Sequence, residues 1–106
     1  MTAVEKEVLS RFRAFVTERA AVKSILLFGS RARGDADPDS DMDVAVIVYG
    51  EADYDMERFI SDCAWKAGFE QGIVVAPVVF SEKEWESRLL RQSLLYLAIE
   101  SEGVSV

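Results

Sequence analysis

The residues able to do chemistry crowd into one stretch, Phe28-Gly-Ser-Arg-Ala-Arg-Gly34, followed by Ser40-Asp-Met-Asp43. Gly29 has no Cβ, so main chain there can approach a ligand closely. Ser30 adds a hydroxyl beside the free N–H groups that open a turn or short helix, which together favour an anion. Arg31 and Arg33 bring guanidinium groups, whose fork matches phosphate geometry. The first half therefore reads as a polyphosphate site and the second as a cation site. Asp41 and Asp43 are two apart, so on a strand they project to one side, with Cα atoms about 6–7 Å apart. Two carboxylates at that spacing repel unless a cation lies between them. Mg²⁺, which takes one or two protein carboxylates plus phosphate oxygens and water, suits that offer. If the two halves lie on neighbouring strands, a Mg²⁺–nucleotide complex fits the corner between them.

Composition narrows the alternatives. The 106 residues allow one domain, 1–106, with ordinary globular content: 50% hydrophobic, 29% charged. There is no His, which excludes a Ser-His-Asp triad and a His-rich zinc site. The single Cys, Cys63, allows no internal disulfide and is consistent with a reducing cytoplasm. The net charge of −7 disfavours non-specific DNA binding. The opening residues lack a signal-peptide pattern, and the longest apolar run, Ile73 to Phe80, is too short to span a membrane.

The elements that must position the motif follow from periodicity. Glu5 to Arg19 has a helical apolar stripe, Val8, Leu9, Phe12, Phe15 and Val16. Ser24 to Phe28 reads as a buried strand, and Ser30 to Ser40 as a turn or short helix running into a loop. Asp41 to Tyr49 alternates, with Met42, Val44, Val46 and Val48 on one face and Asp41, Asp43, Ala45 and Ile47 on the other. Asp53 or Asp55 caps a helix reaching about Lys66. Ile73 to Phe80 is a third strand, and Pro77 within it argues for an edge or a bulge. Ser81 and Glu84 form a capping box for a last helical region, kinked near Gln92-Ser93 and ending near Gly103. The expected fold is α+β, a small mixed sheet of three or slightly more strands with helices packed on it.

Gly29-Ser30, ten residues, then Asp41-x-Asp43 resembles the signature of the DNA polymerase β-like nucleotidyltransferase superfamily. The small size and the Gly-Ser-Arg-Ala-Arg-Gly run resemble its minimal nucleotidyltransferase (MNT) branch. The resemblance is strong over Ile25 to Val48; elsewhere it lies mainly in element order, including a Glu-Gly-Val at Glu102 to Val104. It implies transfer of a nucleoside monophosphate from ATP (as AMP) or from another nucleoside triphosphate to an acceptor hydroxyl, with release of pyrophosphate. Gly29 and Ser30 would hold the β- and γ-phosphates, Asp41 and Asp43 would bind Mg²⁺, and Arg31 or Arg33 would assist. It further implies an antitoxin that neutralises a HEPN-domain toxin by binding it or by modifying a tyrosine, with hetero- or homo-oligomers in prospect.

The pattern departs from the family at one place. The family's third carboxylate belongs on the following strand, and Ile73-Val-Val-Ala-Pro-Val-Val-Phe80 has none; its slot falls near Val74 to Ala76. Glu70 and Glu82 flank that strand but would need a slip of several residues. The alternative is thus a weak or inactive transferase fold that binds its partner, or a nucleotide-responsive regulatory unit. Plainer readings stand beside these. Arg31 and Arg33 could pair with Asp35, Asp37 or Asp39, Cys63 could be an inert core residue, and Trp65, Trp85 and Leu89 to Ile99 could be core or partner-facing.

Overall fold

A computed structural model describes all residues, 1–106. Helix α1 (Ala3–Thr17) begins where Thr2 caps it, two residues ahead of the expected start. The Thr2 hydroxyl accepts from the Glu5 N–H at 3.1 Å, and Glu5 accepts from the Thr2 N–H at 2.8 Å. Strands β1 (Val22–Phe28) and β2 (Met42–Val48) run antiparallel, with Phe28 opposite Asp43 and Val22 opposite Val48. Between them lie the short helix α2 (Ser30–Arg33) and the loop that ends at Asp41. Helix α3 (Tyr54–Gly68) starts at Asp53, whose carboxylate accepts from the Met56 N–H at 2.9 Å. A 3-10 turn over Phe69–Gln71 then leads into β3 (Val75–Ser81), which is parallel to β2.

The last third is more broken than its apolar pattern predicts. Three serines, Ser81, Ser87 and Ser93, each cap a new helix: α4 (Glu82–Trp85), α5 (Arg88–Arg91) and α6 (Leu94–Glu102). After Gly103 the chain adds β4 (Val104–Ser105) to the free side of β1. The sheet therefore has four strands in the order β3-β2-β1-β4. Four strands fall within the expected three or slightly more, and the two residues of β4 are too few to show a strand periodicity.

The two faces of β2 divide the core as the alternation predicts. Met42, Val44, Val46 and Val48 pack into the cluster made with α1 and α3. Ala45 and Ile47 join Phe28, Phe80 and Ile99 beneath the C-terminal helices. Asp43 shares this second face, at the end of the strand where the core gives out. Pro77 sits on an edge strand, as expected. Val74 C=O accepts from the Met42 N–H at 2.8 Å, so alternate residues Ala76 and Val78 also turn their amides to β2, and Pro77 faces the open edge. No helix is long and apolar enough to cross a membrane.

Candidate active site

The corner is built by two strand ends. Phe28, the last residue of β1, lies opposite Asp43 at the start of β2, so Gly29 and Ser30 emerge beside the two aspartates. The chain turns sharply there because Gly29 adopts φ +76°, a left-handed conformation that side chains resist. A Cβ on Gly29 would come within 2.5 Å of Asp43 Oδ2. Ser30 opens α2, so the N–H groups of Ser30 and Arg31 have no acceptor within that helix. The glycine-serine turn and the aspartate pair thus form one shelf.

Its electrostatics fit a cation. Burial pushes the Asp43 carboxyl above the ordinary aspartate range, the charge of Asp41 pushes it further, and Arg33 pulls it back. Asp41 is exposed, so the pair keeps one face open to solvent. Hard oxygen donors, mutual repulsion and an open side are what a partly hydrated Mg²⁺ requires. No group of three acidic side chains is placed to hold a metal ion together.

The two arginines separate. Arg31, expected beside the phosphates, is instead buried behind the shelf. Its Nε and one NH2 donate to the Ser40 carbonyl at 3.0 and 2.8 Å, the same NH2 reaches the Pro38 carbonyl at 3.0 Å, and NH1 pairs with Glu5 at 3.0 Å. The guanidinium therefore pins the loop immediately before Asp41. Burial raises the Glu5 carboxyl, but the Thr2 N–H and Arg31 outweigh it and hold that carboxyl below its usual range. Arg33 stays half exposed near Asp43, bonded through NH1 to Glu102 at 3.0 Å and through Nε to Asp35 at 3.3 Å. Glu102 also accepts from the Gly29 N–H at 3.1 Å.

Sequence reasoning did not assign roles to Glu5 or Glu102. The Thr2-x-x-Glu5 spacing signals the helix cap, but nothing local signals an ion pair across 26 residues or a contact across 73.

The strand beside Asp43 carries no acid, in keeping with the sequence of β3. Ala76 is the register partner of Asp43 across the parallel β2–β3 ladder and lies on the same face. Glu70 pairs with Arg11 at 3.5 Å, and Glu82 with Lys23 at 3.0 Å, at the far end of β3 from Asp43. The larger concavities lie off this shelf: one of about 420 Å³ between α3 and β3, lined partly by Trp65 and Phe69, and one of about 570 Å³ beside Glu5, Arg31 and Pro38.

Residues 9–100 match the family described as "Nucleotidyltransferase domain". The chain belongs to the nucleotidyltransferase domain family. A relative from Methanocaldococcus jannaschii named "Putative protein adenylyltransferase" is 34% identical over 71 residues, covering 67% of this chain and 66% of the relative. The chain thus matches just under two thirds of that relative's length. A second relative of the same name and organism is 27% identical over 96 residues, covering 87% of this chain and 93% of its own. Among solved structures, that of a toxin–antitoxin with AMP-PNP superposes with a TM-score of 0.62 at 21% identity, covering 95% of this chain and 70% of the other. The nucleotidyltransferase fold expected from the glycine-serine and aspartate spacing is the fold observed.

Proposed function

We propose that this nucleotidyltransferase-family chain transfers AMP from ATP to a hydroxyl group on a partner protein. The observation that carries this reading is the contact of Gly29 with Asp43, which puts the expected phosphate turn and the expected metal ligands on one shelf. The names of the archaeal relatives support the protein acceptor.

Asp41 and Asp43 would hold Mg²⁺, which neutralises the triphosphate and offsets charge at the α-phosphorus. The Ser30 hydroxyl and the N–H groups of Ser30 and Arg31 would grip the β- and γ-phosphates. Arg33, next to Asp43, supplies the positive charge on the same side. In the transfer, the acceptor oxygen bonds to the α-phosphorus, the bond from that phosphorus to the leaving pyrophosphate oxygen breaks, and the hydroxyl proton is lost. Ala76 offers no base beside Asp43, so that proton passes to water or to a group on the partner.

The toxin–antitoxin assembly of the structural neighbour supports a toxin as that partner, and the family resemblance suggests a HEPN-domain protein. A cytoplasmic location, where ATP is at hand and a lone thiol such as Cys63 stays reduced, accords with this reading. The decisive experiment incubates the chain with α-labelled ATP, Mg²⁺ and the product of the adjacent gene. Label on the partner, absent with Asp41→Ala and Asp43→Ala, supports transfer. A tight complex without label, unaffected by either substitution, supports a second reading that Ala76 favours: a binding module with little or no turnover.

A further inference from the structure

Glu102 is the last residue of α6 and reaches the shelf from the far end of the sequence. One carboxylate oxygen accepts from the Gly29 N–H at 3.1 Å and the other from Arg33 NH1 at 3.0 Å. These two donors bracket the phosphate turn, one at its entrance and one on the last residue of α2. We infer that Glu102 is a positioning residue of the nucleotide site, setting the glycine turn against Asp43 and aiming Arg33 at the triphosphate.

Its own position is firmly set. Gly103 follows it, with its N–H on the Ile99 carbonyl at 2.7 Å, and a Cβ there would collide with that carbonyl. Val104 and Ser105 then pair with Leu27 and Leu26 of β1, and the Val106 N–H donates to the Ile25 carbonyl at 3.0 Å. The strand that delivers Gly29 therefore also fixes the carboxylate that holds it. The Glu102 side chain is only 24% exposed, which limits its alternatives in water.

Two consequences follow. With its N–H committed to Glu102, Gly29 serves the site by fitting against Asp43, and the phosphates are left to Ser30 and Arg31 main chain. Arg33, tethered through NH1 and Nε, keeps its NH2 nitrogen without a protein partner and so available for a phosphate oxygen. A rival role is an internal anion that imitates phosphate and must be expelled. The two roles differ in sign: losing a positioning group weakens nucleotide binding, whereas losing a competitor tightens it.

The inference rests on the nucleotide reading, and calorimetric titration with Mg²⁺ and AMP-PNP separates the two. Wild type, Glu102→Gln, Glu102→Ala and the control Glu100→Gln, on an exposed position of α6, are compared, with the Gly29 amide followed by ¹⁵N NMR. Glu102→Gln keeps the size of the side chain and an acceptor for Gly29, so it remains informative if Glu102→Ala fails to fold. The expected result is a loss of affinity of about tenfold in both Glu102 variants. The Gly29 amide should also shift, while Glu100→Gln binds as wild type does. Unchanged or tighter binding in a folded Glu102→Gln overturns the positioning role alone. Failure of wild type and Glu100→Gln alike to bind overturns the nucleotide reading and this role with it.

Discussion

Gly29 and Asp43 touch so closely that a single methyl on the glycine would lie within 2.5 Å of the Asp43 Oδ2 atom. Neighbouring strand ends create the approach, and the positive φ at Gly29 completes it. Gly29→Ala combines a left-handed backbone with a steric clash against a proposed metal ligand. It should cost about 1–3 kcal/mol in folding stability. It should also abolish Mg²⁺-dependent nucleotide uptake, read by denaturant titration and calorimetry on one preparation.

Asp43 carries a pH signature. Its carboxyl is raised by burial and by Asp41, so it protonates at a higher pH than a free aspartate. Ionised Asp43 therefore costs folding stability in full above its raised folded pKa, and that cost fades as pH falls from there and is gone below the unfolded pKa. Affinity for the proposed metal should move the opposite way, being lost on acidification before an ordinary aspartate would titrate. Asp43→Asn should accordingly melt slightly higher than wild type at neutral pH while failing to bind Mn²⁺, which thermal melts and paramagnetic resonance can read together.

Arg31 and Glu5 form a buried pair at 3.0 Å, and removing one partner strands the other. Arg31→Ala should cost about 3–5 kcal/mol. Because the lowered Glu5 carboxyl stabilises the fold above the unfolded pKa and ceases to as pH falls through its folded value, the difference between Arg31→Ala and wild type should shrink in acid. A variant losing under 1 kcal/mol at neutral pH would contradict the pinning role.

Ala76 stands beside Asp43 on the neighbouring strand, half-buried and on the same face. Ala76→Asp should place a third carboxylate at the shelf. The expected outcome is tighter Mn²⁺ binding and, with a competent acceptor, AMP transfer at least tenfold faster than wild type. Equal metal affinity in the two proteins would show that the slot does not open onto the metal site.

Legibility followed range. Asp41-x-Asp43, the two faces of β2, the edge position of Pro77 and the Ser81 cap were readable because each is a local pattern with a fixed period or offset. The kink expected near Gln92-Ser93 is where Ser93 caps α6, but the break at Ser87 is not legible, since Leu89 and Leu90 continue the helical pattern and only the Ser87 hydroxyl accepting from the Leu90 N–H reveals it. The inward turn of the Arg31 guanidinium is not legible for the same reason that Glu5 and Glu102 carry no role in the sequence reading. A guanidinium next to a phosphate turn looks alike in sequence whether it points outward or inward. What settled its direction was a carboxylate on another helix. Trp65 shows the limit on the other side: its helix was evident, but its 66% exposure depends on which neighbour stops short of it.

The outward-facing imide of Pro77 has a bearing on how this molecule meets others. A bare rim of main chain ordinarily invites a foreign strand to zip alongside it, and a missing donor midway spoils that invitation. Fibrillar stacking through this rim is thereby discouraged.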